Sequence, residues 1–116
     1  MPTEPTHAIA VFIAASSSEE AGRLAEMLIN KRLAACVQIL PVMDSIFLWK
    51  GKVEWQREVL LIAKTLQSKF GNLEKEVRAL HSYETPEIVA APLVAGSTPY
   101  LEWLSASVQE PTRKTN

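Results

Sequence analysis

Three features of this 116-residue sequence predict an α+β fold, an antiparallel sheet with two helices on one face and a further helix at the C-terminus. Segments with apolar residues two apart alternate with segments at three-and-four spacing, in the order β-α-β-β-α-β. The two middle β segments are separated only by the tight turn of Lys50, Gly51 and Lys52, so they pair as a hairpin. Pro99 then opens a last helical stretch.

The first strand follows from Ile9, Val11 and Ile13, which lie two apart within a mostly apolar run. Three serines stop it. Ser17 and Glu20 have the spacing of a capping box, and Glu19 and Glu20 suit the positive end of a helix. Ala21, Leu24, Ala25, Leu28 and Ile29 form one apolar stripe, which that helix lays on the sheet. Lys31 and Arg32 fall in its predicted last turn, where the dipole favours cations. Cys36, Val37 and Ile39 open the second strand, and "SIFLW" continues it. Pro41 between them predicts a bend, a bulge or an edge position, since it cannot donate to the ladder.

The third strand is predicted from about Val53 to Lys64, with Val53, Trp55, Val59, Leu61 and Ala63 on one face and Arg57 interrupting it. Leu60 and Ile62 make its inner end apolar on the other face too. The hairpin is thus longer than the mean strand of about 5–6 residues. Phe70, Leu73, Val77 and Leu80, spaced three, four and three, predict a helix ending near His81, weakened slightly by Gly71. Pro86 starts a fourth strand over Glu87 to Leu93, which Gly96 and Ser97 break. Thr98 reads as the N-cap of the last helix and Pro99 as its first residue. Residues 1–116 read as one domain, with 1–6 and 109–116 loose at its ends. The order is that of the ferredoxin-like split βαβ layout.

Composition narrows the function. The formal charge of −1, with no run of five like charges, gives no field for nucleic acid or a membrane surface. No stretch approaches the roughly 18 apolar residues of a spanning helix. The apolar run from Ala8 to Ala15 is short and no Lys or Arg precedes it, so it reads as a strand and not a secretory leader. One cysteine, Cys36, allows no disulfide within a chain, and the expected location is cytoplasmic. There is no phosphate-binding glycine loop, dinucleotide fingerprint or serine elbow, so neither an enzyme nor an organic cofactor is expected. RNA-binding modules of the same layout need stacking aromatics on the inner strands, which the third strand lacks. Two helices cover one sheet face only. The other face, and Phe47, Trp49 and Trp55 on the outer hairpin, call for an oligomeric partner.

"RLAACVQILPV", "SIFLWKGKVEWQREVLLIAKT" and "LHSYETPEIVAAPLVAGSTPYLEWL" resemble the CutA family of divalent-cation tolerance proteins. The resemblance runs from about Ile9 to Ser105. It is carried by Ala35–Cys36, Trp49 and Gly51, Glu58, Lys64–Thr65, His81, Tyr83, Pro86–Glu87–Ile88, Tyr100–Leu101 and Trp103. It implies a ferredoxin-like subunit in a tight homotrimer, with hairpins joining neighbouring sheets, and an association with tolerance of copper and other divalent metals. The architecture is also similar to that of trimeric PII signalling proteins, which implies an alternative: a signalling or scaffold trimer binding a small molecule or protein in its clefts. Some relatives carry a cysteine at the end of the first strand and a second histidine before the tyrosine. Here Ile13, Ala14 and Ala15 end the strand and Leu80 precedes His81; Ser82 stands where many relatives have proline.

His81, Glu84, Glu87 and Cys36 are therefore the candidate metal residues, expected to hold copper(II) or another divalent ion weakly. His81 reads equally as a helix C-cap, and one ring nitrogen can cap while the other ligates. Glu84 and Glu87 are hard oxygen donors within six residues of it. Cys36 is the only soft donor, and its apolar neighbours also fit a small buried side chain. Glu58 and Lys64 share a strand face, either in a polar cleft or, as favoured here, in an ion pair between subunits. Trp49 and Trp55 mark the interface; Tyr83, Tyr100 and Trp103 line a cleft or pack at that interface.

Overall fold

In the computed structural model, which describes residues 6–109, the first apolar run forms strand β1 (Ala8–Ala15). Helix α1 (Ser18–Asn30), strands β2 (Cys36–Trp49) and β3 (Lys52–Leu66) and a 3₁₀ turn at Gln67–Lys69 follow. Helix α2 (Phe70–Leu80), strand β4 (Ile88–Pro92) and helix α3 (Thr98–Ser107) complete the chain. The sheet order is β2-β3-β1-β4, with every neighbouring pair antiparallel. This is the ferredoxin-like layout. The segments 1–5 and 110–116, expected to be loose, lie outside the described residues. Thr6, placed with them, is tied down: its hydroxyl donates to the Leu93 carbonyl.

β1 is hydrogen-bonded on both sides, so its polar backbone is satisfied within the sheet and all of its residues but Phe12 are buried. Its odd-numbered side chains Ile9, Val11 and Ile13 join Val59, Leu61 and Ala63 of β3 under Leu24 and Leu28 of α1 and Leu73 and Val77 of α2. Both predicted helical stripes therefore roof one core, except at their last positions, where Ile29 and Leu80 are exposed. Cys36 stands opposite Lys64, which stands opposite Ala10, so Cys36 points to the sheet's second face. The Tyr100 hydroxyl reaches its Sγ at 3.5 Å, which puts α3 over part of that face. Leu104 and Val108 of this C-terminal segment are fully buried.

Element ends differ in four places. β3 extends two residues past Lys64, and β4 is shorter than read by one residue at each end. Ser97, not Thr98, is the N-cap of α3, which moves Pro99 to its second residue. α1 stops at Asn30, so Lys31 and Arg32 lie beyond it. Arg32 adopts a left-handed φ of 56°, while its N–H donates to Ile29 and that of Leu33 to Leu28. That pair of bonds is a Schellman cap. The Arg32 guanidinium donates to the Ser107 carbonyl at 3.2 Å, so its charge serves the end of α3.

The hairpin turns through Lys50 and Gly51, both at positive φ, as a two-residue turn requires to match strand twist. Pro41 sits in a bulge: between the pairs Leu40–Leu60 and Met43–Glu58, two residues of β2 face one of β3. The extra residue inverts the alternation of β2. Val37 and Ile39 face the helices, but beyond the bulge Ile46 and Leu48 take that side, opposite Trp55 and Val53. The roof does not reach so far, and these four side chains are between 55% and 71% exposed. Phe47 and Trp49 turn to the other side, with Glu54, Gln56 and Glu58. The three hairpin aromatics thus divide between two faces.

Replacing the fully buried Leu61 with alanine should destabilise the fold by about 2–5 kcal/mol, the cost of an internal cavity. Guanidinium unfolding of the two proteins at equal concentration checks this.

Candidate functional site

Where β1 ends, Ser17 caps α1 by accepting from the Glu20 N–H at 3.1 Å. The reciprocal half of the capping box does not form. Glu20, only 2% exposed, accepts instead from the Ser16 N–H and hydroxyl, both at 2.8 Å, and from the Ser82 N–H at 2.6 Å. Burial pushes its carboxyl upward, but the hydrogen bonds from Ser16 and Ser82 outweigh that and bring it down to about 2. The ionised carboxylate stitches the β1–α1 turn to the segment after α2.

His81 is the C-cap of α2 by backbone position, yet its ring reaches across to β1. Nε2 donates to the Ala14 carbonyl at 2.7 Å, and Nδ1 accepts from the Tyr83 N–H at 3.0 Å. These partners define a neutral imidazole with its proton on Nε2. Neither nitrogen keeps a lone pair for a metal. Tyr83 in turn donates its hydroxyl to Glu58 at 2.9 Å. Burial, then the hydrogen bond and charge of Glu58, then the charge of Glu20, raise the Tyr83 hydroxyl to about 12, so it remains a donor.

Tyr83, Glu84, Thr85 and Glu87 form one wall of an open groove of about 630 Å³. The hairpin face carrying Phe47, Trp49, Glu54, Gln56 and Glu58 forms the other. Four carboxylates line this groove, and none of its lining residues is Lys or Arg.

The structure does not gather the four candidate metal residues. Among the described residues no three His, Cys, Asp or Glu side chains converge as a metal ligand set. Cys36 is level with Ala10, whereas His81 bonds Ala14, about 13 Å further along β1 at strand rise. The residues present do not fit a copper centre built on His81. Glu84 and Glu87 share the groove; Cys36 belongs to a separate cluster with Tyr100, whose ring stacks 5.5 Å from Trp103. The hydrogen bond with Cys36, burial and the charge of Cys36 raise the Tyr100 hydroxyl to about 12. Within the subunit Glu58 and Lys64 are not paired: Glu58 holds Tyr83, and Lys64 donates to Gln38 at 2.5 Å. Trp49 lines the groove and Trp55 lies on the opposite hairpin face. Sequence reasoning missed Glu54 and Gln56 as groove residues, although Glu54, Gln56 and Glu58 alternate along one strand and could have been read as a polar face.

Fold and groove together define a ferredoxin-like α+β domain with an open acidic groove along one face of an overlong hairpin. The family model described as CutA1 divalent ion tolerance protein matches residues 9–107. The divalent-cation tolerance protein CutA of Archaeoglobus fulgidus is 44% identical over 99 residues, spanning 85% of this chain and 96% of its own length. The rice protein CutA 1, chloroplastic, is 42% identical over 88% of this chain, but that match spans only 58% of its length. The chain belongs to the CutA1 family. The solved structure of the Archaeoglobus protein superposes with a TM-score of 0.86, at 42% identity over 88% of this chain and 99% of that one. The Thermus thermophilus structure gives 0.85, at 43% identity over 86% and 97%.

These relatives overturn the cytoplasmic expectation. The Archaeoglobus structure is of a periplasmic protein, and the rice and Arabidopsis relatives are chloroplastic. No helix among the described residues is long and apolar enough to cross a membrane, but neither that nor one cysteine selects a compartment.

Glu20 ties stability to pH. Its folded value, about 2, lies below the unfolded 4.5, so its contribution is complete above pH 4.5 and disappears as pH falls toward 2. The shift corresponds to roughly 3 kcal/mol. Glu20→Gln should lower stability near neutral pH by a similar amount and flatten the acid-unfolding curve between pH 4.5 and 2, followed by circular dichroism.

Proposed function

We propose that this chain acts in divalent-cation tolerance as a homotrimer, a binding protein and not an enzyme. The observation that carries the assembly is the bare apolar face of the outer hairpin, formed by Ile46, Leu48, Val53 and Trp55. A small domain leaves such a contiguous patch only where another surface covers it. Three copies is the number that the CutA resemblance implies. The non-enzymatic reading rests on the spent chemistry of the site. The buried histidine uses both nitrogens on backbone partners, and the cysteine is hydrogen-bonded with a tyrosine.

Copper(II) or another divalent ion binds weakly in this reading. Its donors are the exposed carboxylates Glu84 and Glu87 at the groove, where hard oxygens stand alone without imidazole or thiolate support. Names of relatives that specify divalent-cation tolerance support the role. The groove also favours the alternative of a PII-like trimer that binds a small molecule, since its volume falls within the usual range of ligand sites.

Light scattering at micromolar concentration should return the mass of three chains. Leu48→Asp, which places a charge on the bare face, should shift that mass to one chain without loss of secondary structure. In a copper titration, His81→Gln, which keeps a donor and an acceptor for the backbone, should bind as wild type does. Glu87→Gln should bind less. Loss of copper binding in His81→Gln would restore the imidazole as a ligand.

A further inference from the structure

We infer that His81 is a proton-operated latch on the segment that walls the groove. Acid below the neutral range places a proton on its Nδ1 and releases the Tyr83 amide, so that residues 82–87 leave the arrangement described. The inference concerns regulation and goes beyond the role in cation tolerance.

It starts from the hydrogen bonds of one ring. Nε2 donates to the Ala14 carbonyl at 2.7 Å, and Nδ1 accepts the Tyr83 N–H at 3.0 Å. An imidazolium donates from both nitrogens and accepts at neither. A proton arriving on Nδ1 therefore meets the Tyr83 N–H head-on. Proton uptake and departure of the Tyr83 amide become a single event.

A second observation supplies the partner for the charge. Nδ1 lies 3.7 Å from Glu20 Oε2, and the two side chains are 0% and 3% exposed. Glu20 is supplied with N–H and O–H donors by Ser16 and Ser82, but among the described residues no Lys or Arg pairs with it. A buried anion without a cation favours the charged form of an adjacent imidazole. Closing to a charge-assisted hydrogen bond needs a shift of only about 1 Å.

The other groups facing the ring act in the same sense or are silent. Tyr83, from the ring's own segment, stands with its centroid 4.8 Å away, and Glu58 of β3 holds the Tyr83 hydroxyl. Glu58 adds a second carboxylate, and among the described residues no Lys or Arg bonds to any member of this group. Histidines change charge between about pH 5 and 8. The Glu20 carboxyl, held at about 2, and the Tyr83 hydroxyl, raised to about 12, do not titrate there.

The fold also decides which partner yields. Ala14 belongs to β1, which is hydrogen-bonded on both sides and cannot follow the ring. Residues 82–87 lie between α2 and β4 outside any helix or strand, with Ser82, Glu84, Thr85 and Glu87 exposed. Tyr83, Glu84, Thr85 and Glu87 line the groove, so release of the Tyr83 amide alters that wall directly.

Nuclear magnetic resonance on the isotopically labelled full-length protein, between about pH 8 and about pH 5, tests the inference. The His81 ring nitrogens should pass from the neutral form to the imidazolium. Protection of the Tyr83 amide, corrected for the intrinsic pH dependence of exchange, should fall about tenfold or more with the same midpoint. Circular dichroism should stay constant over the interval. His81→Gln keeps a donor for Ala14 and an acceptor for Tyr83 but takes no proton, so protection should remain level. His7→Gln removes the other histidine, which precedes β1 at the end away from Ala14, and should respond as wild type does. Should His81→Gln fail to fold, Glu20→Gln, which removes the neighbouring charge, should move the midpoint to lower pH. The inference is overturned if the ring stays neutral throughout, or takes a proton while the Tyr83 amide keeps its protection. It is equally overturned if the loss persists in His81→Gln, if Glu20→Gln leaves the midpoint in place, or if the amide opens only when the whole domain loses its secondary structure. None of these readouts involves a metal, so the result is independent of the cation-tolerance reading.

Discussion

The extra residue at Pro41–Val42 decides what each half of the hairpin presents. A strand alternates its side chains with a period of two, so one inserted residue exchanges the two faces of everything beyond it. With the bulge, the apolar pairs Ile46–Trp55 and Leu48–Val53 extend the helix-side face outward, where no helix covers them. Phe47 and Trp49 join the polar alternation of Glu54, Gln56 and Glu58 on the reverse side. Without it, β2 would place Phe47 and Trp49 on the face of Trp55 and send Ile46 and Leu48 to the acidic side. Neither a clean apolar face nor a coherent groove would exist.

A compact polar knot anchors the far wall of that groove. Glu20 gathers donors from Ser16 and Ser82, His81 spans from Ala14 to Tyr83, and Tyr83 hands its hydroxyl to Glu58. These residues come from β1, α1, the segment after α2, and β3. Each buried side-chain polar atom of this knot has a partner nearby, which is the condition for keeping such groups out of water. Low-dielectric hydrogen bonding holds Glu20 ionised and Tyr83 protonated, so the wall keeps one arrangement across the neutral range. In contrast, Thr65 is fully buried with its hydroxyl unpaired among the described residues, and nothing in the fold explains it.

The chemistry of the site follows from what this knot consumes. An imidazole with a proton on one nitrogen and an N–H on the other is a structural strut. Leu80 and Ala15 provide none of the extra donors that some relatives carry. What the groove offers instead is distributed negative charge beside aromatic faces, with one carboxylate sunk in the wall. Such a surface discriminates by charge and shape. A shared fold does not by itself dictate a ligand, and this groove's own donors are the better guide.

Much of the architecture was present in the sequence because local physics dictates it. Apolar spacing of two and of three-and-four named the strands and helices, Ser17 marked the start of α1, and Lys50–Gly51 marked the turn. Pro41 announced an irregularity, but whether as bend, bulge or edge depended on register with β3. Tertiary structure alone decided the partners of long, polar side chains. Glu20 forsook the local capping bond for Ser82, 62 residues away, and His81 turned from its own helix to Ala14, 67 residues away. A sequence shows that a side chain has a lone pair; only the packed fold shows whether a backbone donor has already taken it. The groove joins residues near 45–58 to residues near 83–87, and nothing local to either stretch carries the distance between them.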